Sequence, residues 1–207
     1  MVPQGFRLYL ASASPRRREL LRQIGIGFEP LLLRERAPRG PDVSEATRPG
    51  ESPDDYVRRV CRAKAGVAWR RILERGLVRN PVLAADTAVF VDGMLLGKPA
   101  DRDDAARMLR LLSGTTHRVL TAVAIQFGDR IEMAVNNSVV RFSELSPKDI
   151  ADYVDSGEPM DKAGAYAIQG RAAAFIPELH GSYSGVMGLP LYETAALIER
   201  FVSKNGA

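Results

Sequence analysis

The chain has 207 residues, 45% of them hydrophobic and 26% charged, with a formal net charge of +4; these proportions suit one compact domain, or two lobes of one domain, and exclude a disordered chain. No apolar run approaches the roughly 18 residues of a transmembrane helix, and the opening MVPQGFRLYL lacks the basic, apolar and cleavage segments of a signal peptide, so a cytoplasmic protein with no membrane partner is expected. A single cysteine, Cys61, excludes an internal disulfide, and two distant histidines, His117 and His180, cannot build a Cys/His zinc site, which leaves oxygen ligands for any metal.

In chain order, residues 6–12 (FRLYLAS) read as a strand leading into a helix that starts at Ser14-Pro15 and stops near Gly25, and a second strand follows at about 27–33. Residues 34–52 are polar and rich in Pro and Gly, long enough to be an active-site loop. A long helix spans about 53–75. Residues 82–91 (VLAADTAVFV) form an apolar strand, Asp92-Gly93 turns it, and MLLGKP runs back before a helix at about 102–112. A long hairpin over 117–127 and 131–143 turns at Gly128-Asp129, a helix follows at 147–156, then the Gly-rich AGAYAIQG, a short strand (AAFIPEL) and a closing helix at about 190–203. Alternation of strands and helices makes the fold α/β with a mixed sheet.

The charge is unevenly placed. Residues 1–75 hold 16 Lys/Arg against 9 Asp/Glu, and residues 76–207 hold 13 against 16, so the basic surplus is local and points to an anionic partner or a solvated basic face. Its basic stretches are not interleaved with aromatics, so nucleic acid is not expected as a partner. Three helix starts share the Ser-Pro device, at 14, 52 and 146. Acids follow the second and third, whereas Arg16, Arg17 and Arg18 follow the first, against the positive end of the helix dipole. That placement makes sense when a phosphate arrives, since helix N–H groups and guanidinium forks both bind its oxygens. Ser12 and Ser14 read as hydrogen-bond donors to phosphate or backbone, not as nucleophiles.

Three further charges break the pattern. Asp86 is the only charge in its ten-residue apolar strand, where a carboxylate must cap a turn, hold a metal or act as a general base. Lys64 lies within the apolar stripe formed by Val57, Val60, Cys61, Val67, Ala68 and Ile72, either snorkelling or facing an anion. Lys98 sits in the tight LGKP turn. P-loop, dinucleotide-binding and Gly-x-Ser-x-Gly signatures are absent from the sequence.

With LASASPRRRELL, PGESPDDYVRRVCRAKA, LAADTAVFVDGMLLGKP, LLSGTTHRVLTAVA, GEPMDKAGAYAIQG and GLPLYET in order, nearly the whole chain resembles the Maf (septum-formation-inhibitor-like) nucleoside triphosphate pyrophosphatases. The resemblance implies a single domain over 1–207 with a long mixed sheet and two lobes flanking a central cleft. It also implies metal-dependent cleavage between the α and β phosphates of a small-molecule nucleoside triphosphate. By motif, Arg16 and Arg17 fall at phosphate or nucleotide positions, Lys64 and Lys98 at the family's lysines, Asp86 at its proton acceptor, Glu45 at a catalytic or metal-binding carboxylate and Lys162 at a further phosphate contact. Arg16, Thr87 and Gln169 fall where substrate preference is set. Asp86 and Glu45 would hold Mg²⁺ or Mn²⁺. A glutamine amide at 169 can both accept from the N3–H of uracil or thymine and donate to its carbonyl, and YAIQG with DKAG is similar to the dTTP/UTP branch. The alternatives are 7-methyl-GTP as substrate, or a non-catalytic nucleotide-binding regulator of cell division; the resemblance leaves room for a homodimer.

Overall fold

A computed structural model describes residues 5–34 and 40–203. In chain order the elements are β1 (Arg7–Leu10), α1 (Pro15–Gln23), β2 (Gly27–Pro30), α2 (Pro53–Glu74), β3 (Val82–Val91), β4 (Met94–Leu96), α3 (Arg102–Leu112), β5 (Thr116–Phe127), β6 (Arg130–Arg141), α4 (Pro147–Asp155), β7 (Glu178–His180), α5 (Tyr183–Met187) and α6 (Leu191–Ser203), with short 3-10 turns between α4 and β7. The strands form a seven-stranded mixed sheet in the order β2-β1-β3-β5-β6-β7, with β4 paired to β3. β1 runs parallel to both β2 and β3, while β4 on β3 and β7 on β6 are antiparallel.

Two compact units divide the chain: residues 1–86, 122–135 and 188–207 in the first, 87–121 and 136–187 in the second. The first contains the β1-α1-β2 crossover, α2 and α6. Val57, Val60, Cys61, Ala65, Ala68 and Ile72 of α2 are all fully buried, the expected spacing of a helix face against a core. Val67 is only half-buried, and Ala65 and Trp69 take its share of the stripe, Trp69 packing on Phe127 with ring centroids 5.1 Å apart. In the second unit Leu109, Leu112, Phe142, Tyr153 and Ala165 pack into one core, where edge-on contacts link the rings of His117, Tyr166, Phe142, Phe175 and Tyr153.

All three Ser-Pro starts are real caps: Ser14, Ser52 and Ser146 accept from Arg17, Asp55 and Asp149 backbone N–H groups. Two expected strands differ. The one expected at 27–33 ends at Pro30, opposite Leu10 where its partner β1 also ends, and the last bond between them runs from the Leu31 N–H to the Leu10 carbonyl at 2.9 Å. Residues 173–175 of the expected AAFIPEL strand belong to the 3-10 turn Arg171–Phe175, whose run of alanines lacks β-branched side chains, and the strand begins only beyond Pro177. α5 has no counterpart in the sequence-based expectations.

Candidate active site

In the first unit the turn between β1 and α1 is tied by one hydroxyl. Ser12, 8% exposed, accepts at Oγ from the Ser14 N–H and from Arg17 Nη1, both at 3.2 Å. Arg17 Nε donates to the Gly188 carbonyl at 2.7 Å, so Arg17 knits this turn to the start of the last chain segment. Burial weakens its hold on its proton and Asp86 strengthens it. Arg16 is half-buried and has no hydrogen-bond partner among the described residues.

β3 pairs with β1 at Leu10↔Leu83 and continues past the end of β1, carrying Asp86 into the space beyond the carboxyl end of β1, where open α/β sheets place their ligands. Lys64 reaches it from α2. Its ammonium lies 2.7 Å from Asp86 Oδ1 and 2.7 Å from Glu45 Oε1, so one cation joins two carboxylates; the side chains are 18% exposed for Lys64, 7% for Asp86 and 53% for Glu45. Burial pulls the Lys64 proton affinity down, but Asp86 and Glu45 outweigh it and hold the amine above its ordinary range, firmly charged. One turn earlier, Cys61 Sγ lies 3.5 Å from the carbonyls of Ala84 and Ala122. Burial and then Asp86 push its thiol up to about 12, which removes it as a nucleophile at neutral pH.

Glu45 lies on the segment leading into α2, and that segment is anchored at both ends. Asp42, 6% exposed at its side chain, accepts from Arg34 Nε at 2.9 Å and Nη2 at 2.8 Å and also pairs with Arg71. Further along, Tyr56 and Arg59 grip residues 44–51. Neither stands out in the sequence. The one signal was the helical spacing that places residues 56 and 59 on the first turns of the helix that carries Lys64.

Thr87, Lys98, Lys162 and Gln169 belong to the second unit. The Thr121 hydroxyl lies 3.0 Å from the Thr87 hydroxyl and 2.7 Å from the Gly185 carbonyl; having one proton, it donates to the carbonyl and accepts from Thr87. Lys98 is exposed, in a turn whose Gly97 carbonyl accepts from the Gly164 N–H at 3.0 Å, so the LGKP and DKAG segments are neighbours. Lys162 donates to the Glu158 carbonyl at 2.6 Å and to Asp161 Oδ1 at 2.5 Å. Gln169 is exposed, and its amide has no partner among the described residues. Its turn is braced on both sides: the Tyr153 hydroxyl accepts from the Ala167 N–H at 3.1 Å and donates to Glu158 Oε1 at 2.8 Å, and Glu158 Oε2 accepts from the Arg171 N–H at 3.2 Å.

Among the described residues no group of three or more His, Cys, Asp or Glu could by itself hold a metal ion, and none of the helices is long and apolar enough to cross a membrane. The two carboxylates joined by Lys64 are hard oxygen donors already gathered around a positive charge, a donor type that fits a hard divalent cation.

An α/β sheet that delivers a buried aspartate, a lysine and an arginine-bearing helix start to one place defines a protein that handles anions. The chain belongs to the Maf family: the model of the Maf-like protein matches residues 7–201. It is 58% identical to the dTTP/UTP pyrophosphatase of Ralstonia nicotianae over 92% of each chain, and 53% identical to that of Nitrosomonas europaea over 96% of each. To that of Aromatoleum aromaticum it is 54% identical over 97% of this chain and 98% of the relative. A solved structure, that of the Staphylococcus aureus Ham1 protein, is a distant likeness at TM-score 0.49 and 11% identity.

Proposed function

We propose that this protein hydrolyses nucleoside triphosphates, dTTP and UTP foremost, at the bond between the α and β phosphates, releasing the nucleoside monophosphate and pyrophosphate. The observation that carries the proposal is Asp86, 7% exposed at its side chain and held at 2.7 Å by Lys64, which also holds Glu45. The names borne by the relatives support the substrate.

Phosphoryl transfer asks for positioning and charge neutralisation more than for covalent chemistry. Asp86 takes the proton of the attacking water or orients it, a role suited to a carboxylate whose Oδ1 lies 2.7 Å from the Lys64 ammonium. Glu45 and Asp86 would hold a divalent cation, which when bound neutralises phosphate charge and lowers the barrier to water attack. When the triphosphate arrives, Arg16 and the N–H groups of α1 bind its oxygens while Ser12, Ser14 and Arg17 keep that turn in shape. Lys64, Lys98 and Lys162 take the charge developing on the leaving pyrophosphate. Thr87 and Gln169 set substrate choice, the Gln169 amide matching the acceptor and donor of a uracil or thymine edge. The site operates in the cytoplasm.

The test is a screen of nucleoside triphosphates with product analysis. Asp86→Asn lowers kcat by about 10²- to 10⁴-fold with the fold intact, and Gln169→Glu reduces kcat/KM for dTTP and UTP by roughly tenfold, the worth of the one amide-to-carbonyl hydrogen bond that a carboxylate cannot donate. A marked preference of the wild type for 7-methyl-GTP, or turnover that survives Asp86→Asn, overturns the reading.

A further inference from the structure

We infer that Arg59 and Tyr56 are positioning residues that set the placement of Glu45. This rests on the proposed role of Glu45 and adds how the chain holds it there. Three consecutive carbonyls are gripped by two side chains from one helix turn: the Tyr56 hydroxyl donates to the Glu45 carbonyl at 3.0 Å, and Arg59 donates to the carbonyls of Ser44 at 3.4 Å and Ala46 at 2.9 Å. The same guanidinium forks onto Glu51, Nε to Oε1 at 2.5 Å and Nη2 to Oε2 at 2.8 Å, and stacks over the Tyr56 ring at 5.5 Å. Residues 44–51 contain no helix or strand, so backbone ladders do not fix residue 45, and side-chain bonds do it instead.

The arrangement is more than a surface ion pair. Glu51 is 8% exposed and Arg59 19% exposed at their side chains, and only a planar fork can serve a carboxylate and two carbonyls at once, so lysine is not an equivalent. Arg59 lies five positions before Lys64 on the same helix, α2. One rigid element therefore sets both the Glu45 backbone and the ammonium that meets its carboxylate, and their separation is defined by helix geometry.

The experiment is a double-mutant cycle in the full chain with dTTP and Mn²⁺. Arg59→Met lowers kcat by about ten- to a hundredfold, the scale of a misplacement of about 1 Å, with KM changed far less. Arg59→Lys recovers little of it, and Tyr56→Phe gives a smaller loss of the same kind. In a Glu45→Gln background, Arg59→Met changes kcat by less than about twofold, because the residue acts through Glu45. Hydrogen exchange accelerates at residues 44–51 in Arg59→Met and is unchanged in α1 and β3. Effects of Arg59→Met and Glu45→Gln that multiply overturn the inference while leaving Glu45 its role; a Glu45→Gln variant with full kcat overturns that role itself. Should Arg59→Met fail to fold, Tyr56→Phe, which keeps the ring and removes one hydrogen bond, carries the same cycle.

Discussion

Lys64→Met separates the charge logic of the site from its catalysis. The change keeps the stem that packs in α2 and removes the ammonium 2.7 Å from both Asp86 and Glu45. Breaking a fully desolvated pair costs about 3–5 kcal/mol because a charge is left buried without its partner. Here Asp86 is 7% exposed but Lys64 is 18% and Glu45 53% exposed, and Arg17 still bears on Asp86, so solvent and a second cation share the burden and about 2 kcal/mol is expected. For a chain of this size that lowers the melting temperature by about 4–8 °C. Lys64→Met/Asp86→Asn removes the two buried charges and is expected to regain most of the loss, since the carboxylate left without its cation, Glu45, is 53% exposed and solvated. Mn²⁺ should stabilise Lys64→Met more than the wild type, the ion standing in for the missing charge by mass action. Differential scanning calorimetry of the three proteins, with and without Mn²⁺, measures all of this. A Lys64→Met variant as stable as the wild type, or a double variant no better than the single one, refutes the reasoning.

The second unit gives two further tests. At Gly170 a Cβ would stand 2.2 Å from Glu158 Oε1, and Glu158 cannot yield without releasing Tyr153 and the Arg171 N–H, so Gly170→Ala is expected to cost about 1–3 kcal/mol and to raise KM more than it lowers kcat; calorimetry and steady-state kinetics check it, and an unchanged melting temperature rejects it. His117 is 1% exposed, its Nε2 lies 2.8 Å from the Tyr166 hydroxyl, and burial holds its proton affinity down to about 4. The unfolded chain takes up that proton below about 6.5 and the folded chain only near 4, so stability falls with pH across this window, by about 3 kcal/mol in full. His117→Gln flattens that slope, and a slope that survives the substitution assigns it to another group.

Charges that violated local pattern were the most legible part of this molecule. Asp86 in an apolar strand and Lys64 in an apolar stripe each demand a partner, and they prove to be partners of each other. The caps were equally readable because a cap is a local bond between residues three apart. What stayed hidden was long-range and made by ordinary residues. That Arg17 would spend its Nε on Gly188, 171 positions away, has no local signature, nor does the grip of Arg59 on a segment without regular structure. The braces around Gln169 are hidden for a related reason: a tyrosine and a glutamate five residues apart bond the two ends of a Gly-rich turn, and nothing in the pattern of either marks that duty. The misplaced strand over AAFIPEL shows the limit from the other side, because a run of alanines takes whichever backbone its flanking turns impose.

The arginines of α1 bring the two levels together. α2, α3, α4 and α6 each place an acid in their first turn, and α1 places none. The cap supplied by Ser14 satisfies one N–H, that of Arg17, and the rest of the positive helix end meets positive side chains. Arg17 turns away to Gly188 and Ser12, which leaves Arg16 and Arg18 opposing the dipole, the Arg18 Nε buried without a hydrogen-bond partner among the described residues, and of the two Arg16 stands nearer the helix start. In stability alone Arg16→Glu should therefore be favourable, by a few tenths of a kcal/mol up to about 1 as an acid replaces a base in the first turn. In function it should be costly, since it puts a carboxylate at the proposed phosphate site, and KM for dTTP should rise by tenfold or more, the effect growing at low ionic strength. Stability and affinity thus move in opposite directions on one substitution. If the melting temperature and the apparent affinity instead fall together, Arg16 is a structural residue and the helix start is not where the phosphates bind.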